Sequence, residues 1–298
     1  MTEQITHSPA RRAQANGVEL VYDTFGDPSA PPMLLVMGLG AQMIVWDEEF
    51  CKELAAEGYW VIRFDNRDIG LSTKFTKAGV PNTMALMQGQ AVKVPYLLSD
   101  MANDAVGLLD ALGIEQAHVV GASMGGMIVQ MMAIDHPLRL RTLTSIMSTT
   151  GNPNLPPANP AVLGALFQPA PSDREGYLQH SLATSRLFAG SGFPFDEERA
   201  LKRAARAYER GLNPAGTARQ LAAVIASGSR KEALKNLTTP TLVIHGDADP
   251  LVPLEGGIDT AEAIPDAELL IIEGMGHSLP LETWPQIVGA ITRHAAAH

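Results

Sequence analysis

The sequence predicts an α/β protein: a mostly parallel sheet with helices on both faces and a helical block inserted in its second half. Three observations predict it. Short β-rich apolar runs at residues 33–37, 60–64, 117–120, 140–147, 241–245 and 268–272 alternate with stretches of helical character, and such alternation implies parallel strands joined by crossover helices. Runs such as 33–37 are continuously apolar, as central strands covered on both faces are. From about residue 160 to 237 the alternation stops and the pattern is helical.

Residues 1–9 carry no pattern and are expected to be mobile. Asn16-Gly17 then separates two extended runs, a strong hairpin signal. A loop rich in proline (27–32) leads into the buried run 33–37, which stops at Gly38-Leu39-Gly40. A helix is expected over about 44–57, then the strand 60–64 and the polar loop Asp65-Asn66-Arg67-Asp68. Residues 74–97 have no clear period, and a connection of that length is often functional or a lid. Ser99 reads as the N-cap of a helix running to about Leu112 and stopped by Gly113. The strand 117–120, a helix to about Asp135 and the strand 140–147 follow. Gly151 to Pro157 breaks regular structure. After the helical block come the strand 241–245, a helix over 255–263, the strand 268–272 and a C-terminal helix over about 281–294. The expected organisation is therefore a core of 1–149 and 238–298 with a helical cap (lid) of 150–237. Ligands of such sheets sit beyond the strands' C-terminal ends, so the cap would cover the site.

Composition narrows the function. The 298 residues are 46% hydrophobic and 18% charged, with a formal net charge of -10. No basic stripe suits nucleic acid, and no basic amphipathic segment suits an anionic membrane surface. No run of about 18 apolar residues is present, and Met1 to Arg12 lacks an apolar signal core. A cytoplasmic protein is expected. The lone cysteine, Cys51, excludes an intrachain disulfide and reads as an inert packed thiol. No His-Glu-x-x-His or paired-cysteine spacing occurs, so neither a metal nor another cofactor is expected.

Gly121-Ala122-Ser123-Met124-Gly125 carries the chemistry. The five-residue pattern alone arises by chance in on the order of one chain in ten of this length. Between a buried strand and an apolar helix, however, Gly-x-Ser-x-Gly is a nucleophile elbow. A strained turn exposes the Ser123 hydroxyl at the sheet edge, and glycines on either side let neighbouring backbone approach. A serine hydroxyl needs a base, and the base needs an orienting acid. In elbow proteins these follow in the order Ser, acid, His. Asp249 follows the strand 241–245, and His277 follows the strand 268–272 in Gly274-Met275-Gly276-His277. Both occupy loops at the sheet edge that carries Ser123. Asp247 competes for the acid role; Asp249 lies further from its strand and is better placed to reach across, whereas Asp247 suits a turn-capping role. His118 and His245, on strands, read as core residues, and His136 as a helix end.

Acyl transfer also needs donors for the developing oxyanion, worth roughly 3–4 kcal/mol each. One is the backbone N–H of Met124, directly after the serine. The other is expected from the loop after the strand 33–37, at Leu39, between two glycines that let the backbone turn inward. A plain glycine-rich turn is the competing reading there. Asp65, Arg67 and Asp68 read as a buried network that fixes their loop beside the site.

Taken together, Gly-Ala-Ser123-Met-Gly-Gly, Met-Gly38-Leu-Gly40, Phe-Asp65-Asn-Arg67-Asp-Ile-Gly70-Leu-Ser72, Gly246-Asp-Ala-Asp249 and Gly276-His277 resemble the α/β-hydrolase superfamily over nearly the whole chain except the cap. The likeness is greatest to bacterial capped serine esterases, of the aclacinomycin methylesterase type and the cofactor-free haloperoxidase/perhydrolase type. It implies an eight-stranded, mostly parallel sheet, a triad of Ser123, Asp249 and His277, and Leu39 and Met124 as oxyanion donors. Many relatives have His-Gly where this chain has Met37-Gly38.

The function expected is a serine carboxylic-ester hydrolase working through an acyl-serine intermediate on small to medium hydrophobic esters. Perhydrolysis, acyl transfer, lactone or carbon–carbon bond hydrolysis at the same triad, and a hydrolase-like ligand receptor, are the competing functions. The partner expected is a small-molecule ester, and self-association is left open. Leu163, Leu166, Phe167, Leu187, Phe188, Phe193 and Phe195 in the cap could line an apolar pocket, or simply form core.

Overall fold

A computed structural model describes residues 5–298. In chain order its elements are β1 (Arg11–Ala15), β2 (Val18–Phe25), β3 (Pro32–Val36), α1 (Glu48–Ala56), β4 (Trp60–Phe64), α2 (Thr83–Met87), α3 (Leu98–Ala111), β5 (Ala117–Ala122), α4 (Met124–Asp135) and β6 (Leu140–Ile146). Then come α5 (Pro160–Phe167), α6 (Arg174–Phe188), α7 (Glu197–Arg210), α8 (Pro214–Ser227), α9 (Lys231–Leu234), β7 (Thr241–Gly246), α10 (Leu254–Ala263), β8 (Glu268–Ile272) and α11 (Trp284–Ala297). The eight strands form one sheet in the order β1-β2-β4-β3-β5-β6-β7-β8. β2 pairs antiparallel with β1 and β4, and every other pairing is parallel. Asn16 (φ 49°) and Gly17 (φ 77°) make the hairpin between β1 and β2, both in the left-handed region that a tight primed turn requires.

Two apolar clusters cover the two faces of the sheet. One joins β3, β4 and β5 to α3 and α4 through Leu34, Ile62, Val119, Leu108 and Ile128. The other joins the opposite face to α1 and α11 through Leu35, Val61, Phe50 and Ile287. The neighbouring residues Leu34 and Leu35 thus serve opposite clusters, the period-two alternation of a strand buried on both sides. Helices α5 to α9 lie between β6 and β7 in the chain.

Several local expectations are corrected. Residues 1–4 of the stretch expected to be mobile lie outside the described residues, but His7 is seated. It bridges to Phe25, stacks on that ring at 4.0 Å and reaches Asp23 at 3.0 Å. The helix expected from about 44 is a 3₁₀ turn (Met43–Val45) followed by α1, because the Asp47 side chain accepts the Glu49 N–H and starts the helix there. Ser99 is not the cap: α3 begins two residues earlier than that cap implies, at Leu98 with Leu97 as N-cap, and the Asp100 carboxylate accepts the Leu97 N–H at 2.8 Å. Residues 74–97 contain a 3₁₀ turn (Thr76–Ala78) and α2, which packs on α8.

Candidate active site

Three β-strand ends bring three side chains together. β5 delivers Ser123 into a backbone with φ 56° and ψ -123°, a left-handed φ that a residue with a Cβ rarely adopts. Close packing holds that turn. A Cβ on Gly121 would stand 2.2 Å from the Gly125 carbonyl oxygen, and one on Gly125 would stand 2.0 Å from that of Val36. The Ser123 N–H donates to Ile146 at 2.9 Å, and the Ser148 hydroxyl donates to the Ser123 carbonyl at 2.8 Å. His277, beyond β8, places Nε2 3.0 Å from Ser123 Oγ. Its Nδ1 lies 2.8 Å from Asp249 Oδ2, beyond β7. The other Asp249 oxygen accepts the N–H groups of Leu251 and Val252, each at 2.9 Å. The buried Asp249 carboxylate is thereby fixed with one oxygen left for the imidazole.

The competing acid is engaged elsewhere: Asp247 accepts the Gly274 N–H at 2.6 Å and so ties the two loops together rather than capping its own turn. His245 is a buried core residue hydrogen-bonded to the Val252 carbonyl at 2.8 Å, and burial holds its imidazole below the usual value. The His277 loop is clasped from outside the sheet. Its N–H donates to the Phe188 carbonyl at 2.7 Å, the Phe188 ring meets the imidazole edge-on at 5.9 Å, and Gly192 donates to Gly274 at 3.0 Å. A Cβ on Gly276 would stand 2.3 Å from the Gly190 nitrogen, so glycine is needed there.

Leu39 and Met124 face the same cavity as Ser123. Met124 is the first residue of α4, where backbone N–H groups have no intrahelical acceptor. Among the described residues nothing accepts the Leu39 N–H. The loop that carries Leu39 is held by groups the sequence did not single out. Asn66 donates to the Met37 carbonyl at 2.9 Å, and the Gln220 side chain accepts the Gly40 N–H at 2.9 Å. Gln42 donates to the carbonyls of Ala207 and Gly211. These side chains brace the loop that carries Met37 and Leu39. No local pattern marks Asn66 or Gln220, because their partners are distant in the chain.

The cavity has a volume of about 760 Å³. Leu163, Leu166, Phe188, Phe193 and Phe195 line it, with Met127 and Met147. Leu187 does not: its side chain is exposed. The Phe167 side chain lies outside what is described. None of residues 74–97 lines the cavity, so that connection is not a lid over Ser123.

Asp65, Arg67 and Asp68 form the buried network expected of them. Arg67 forks onto Asp104 at 2.6 Å on both arms, Asp68 receives Arg219 at 2.7 and 2.8 Å and the Tyr96 hydroxyl at 2.7 Å, and Asp65 pairs with Arg210. Cys51 is buried, and burial pushes its thiol far up, so a thiolate is not accessible. Away from the cavity, Glu268, His294 and His298 each offer one ligand atom within 4.8 Å of the others, a spacing that could hold a metal ion. Among the described residues no helix is long and apolar enough to cross a membrane.

Known proteins agree with this architecture. The chain is 33% identical to rhodomycin D methylesterase DauP of Streptomyces sp. (strain C5) over 97% of its own length and 99% of that protein. It is 30% identical to a poly(3-hydroxyalkanoate) depolymerase of Ectopseudomonas oleovorans over 85% of its own length and 80% of that protein. Among solved structures, a meta-cleavage product hydrolase from Pseudomonas fluorescens IP01 superposes with a TM-score of 0.77 at 20% identity, covering 96% of this chain and 97% of that one. An esterase from Rhodococcus sp. ECU1013 superposes with a TM-score of 0.75 at 21% identity, covering 97% and 99%. The sequence model of the alpha/beta hydrolase fold matches residues 31–283, a span that takes in the serine turn and both loops facing it, and the chain belongs to that family.

Proposed function

We propose that the protein hydrolyses carboxylic esters through an acyl-serine intermediate, with Ser123 as nucleophile, His277 as general base and Asp249 as its orienting acid. The observation that carries this reading is the relay of 3.0 Å from Ser123 Oγ to His277 Nε2 and 2.8 Å from His277 Nδ1 to Asp249. Full-length similarity to a methylesterase supports ester cleavage as the reaction.

His277 Nδ1–H donates to Asp249, which leaves Nε2 free to accept the serine proton. As Ser123 Oγ bonds to the acyl carbon, its proton passes to Nε2, and the carbonyl oxygen takes up charge against the N–H groups of Leu39 and Met124. The tetrahedral adduct collapses, the bond to the alcohol oxygen breaks, and that oxygen leaves with the proton from His277. Water then attacks the acyl-serine while His277 takes its proton. Breaking the acyl–Oγ bond releases the acid and returns the proton to Ser123. Asp249 remains ionised throughout and stabilises the imidazolium.

Residues 150–237 serve as a cap: their apolar side chains share the cavity with Ser123 and fit the hydrophobic part of a small to medium ester. The reaction needs no cofactor, and the protein works in the cytoplasm. The test is hydrolysis of p-nitrophenyl butyrate with Ser123→Ala and His277→Ala, alongside labelling by a fluorophosphonate. Turnover and labelling are expected in the wild type and not in Ser123→Ala; full activity in Ser123→Ala removes the proposal.

A further inference from the structure

The cavity wall built by α6 and α7 is not uniformly apolar. Arg203 on α7 lines it, and so do Ser181 and Ser185, one turn apart on the same face of α6. Arg203 differs from its neighbours on α7. Arg199 reaches Asp47 at 2.7 Å, Arg206 pairs with Glu48, and Arg210 pairs with Asp65. Among the described residues no carboxylate lies within 4.0 Å of the Arg203 guanidinium, and no side chain or carbonyl accepts a hydrogen bond from it. Asp47, the acid whose charge favours the Arg203 cation, is taken by Arg199. Burial, and then the charge of Arg199, hold the Arg203 guanidinium below its ordinary value.

A half-buried cation without a counter-ion is costly unless something supplies one. A guanidinium offers a planar fork that matches a carboxylate, and the Ser181 and Ser185 hydroxyls add donors to the same cavity. We infer that Arg203, with Ser181 and Ser185, is a carboxylate-binding subsite, so that the preferred substrates are esters bearing a second, ionised carboxylate away from the scissile bond. Methionine and phenylalanine side chains would hold the apolar stem between the two ends.

This specificity rests on the ester-hydrolase reading, and the experiment separates the two. The full chain is assayed in a pH-stat on monomethyl sebacate and on methyl decanoate, matched esters that differ by a terminal carboxylate. The ratio of kcat/KM, acid over neutral, is expected to fall tenfold or more in Arg203→Gln, mainly through KM, and to recover in part in Arg203→Lys. An unchanged ratio overturns the subsite, as does an equal loss on both esters in both variants. Calorimetry of monomethyl sebacate on Ser123→Ala and on the Ser123→Ala/Arg203→Gln double variant reads the subsite without turnover. A tenfold weaker Kd in the double variant supports it even if no ester is cleaved; equal Kd values, or no binding to Ser123→Ala, overturn it.

Discussion

The Gln220 carboxamide oxygen on α8 accepts the Gly40 N–H at 2.9 Å across 180 residues of chain, while its nitrogen donates to the Arg67 carbonyl at 2.9 Å. One side chain thus ties a helix of the inserted block to the loop after β3 and to the loop after β4. If the Leu39 N–H is an oxyanion donor, Gln220 holds it through the next residue without touching substrate. Gln220→Ala is expected to lower kcat about tenfold with little change in KM, because the donor matters most once charge has developed. The buried Arg67 carbonyl loses its donor as well, costing about 1–3 kcal/mol of stability. Steady-state kinetics and a urea titration check both. A change confined to KM would place Gln220 in ground-state binding instead.

The two aspartates beyond β7 have different partners and should fail differently. Asp249 meets the imidazole, whereas among the described residues the Asp247 side chain meets only the Gly274 N–H. Asp249→Asn is expected to cut kcat by about 10³- to 10⁴-fold, since an amide no longer holds the working tautomer or balances the imidazolium. Asp247→Asn should lose less than about tenfold, as it disturbs the loop and not the proton relay. Side-by-side kcat values on p-nitrophenyl butyrate decide the assignment.

What could be read from the sequence is what short-range chemistry determines. A continuous apolar run marks β3 and a short β-rich run marks β5, Asn16-Gly17 marks the hairpin, and Gly121 and Gly125 mark the turn around Ser123. Asp249 and His277 were legible because the alternation places the loops after β7 and β8 at one sheet edge. Helix starts were less legible: Asp47 and Asp100 both cap, but each sits among other polar residues that compete for the role. That Asp65, Arg67 and Asp68 brace the site was legible, but their distant partners were not. Asp65 finds Arg210, Asp68 finds Arg219 and Gly40 finds Gln220, and no periodicity encodes a partner that far along the chain. Leu187 and Leu163 likewise look alike in sequence; α6 turns Leu187 outward while α5 brings Leu163 to the cavity.

Asp68 and Arg219 join the loop after β4 to α8 through a two-armed, fully buried pair. Burial alone would raise the Asp68 carboxyl, but the Arg219 guanidinium and the Tyr96 hydroxyl outweigh it and hold it below the usual range. Asp68 has φ 72°, which asparagine tolerates, so Asp68→Asn removes charge with little backbone penalty. A buried guanidinium left without its carboxylate should cost about 3–5 kcal/mol. Asp68→Asn combined with Arg219→Met should cost less than the sum of the single changes, which a urea-denaturation double-mutant cycle measures. Strict additivity would show that the pair is not coupled.

His118 lies on β5 with its ring edge-on to Tyr59 and its Nδ1 2.9 Å from the Thr142 hydroxyl. Burial, and then the charge of Arg141, push its imidazole down to about 4 from 6.5. The folded state therefore resists protonation in a window where the unfolded chain accepts it. Stability from this group is complete above pH 6.5 and is lost as pH falls toward 4. Roughly 2 kcal/mol should disappear between about pH 7 and pH 4.5. His245, held low by its own burial, adds loss of the same sign. Glutamine can keep the contact with Thr142 but does not titrate, so His118→Gln should flatten the pH dependence of the urea midpoint over this range. An equally steep dependence in His118→Gln would assign the acid sensitivity to other groups.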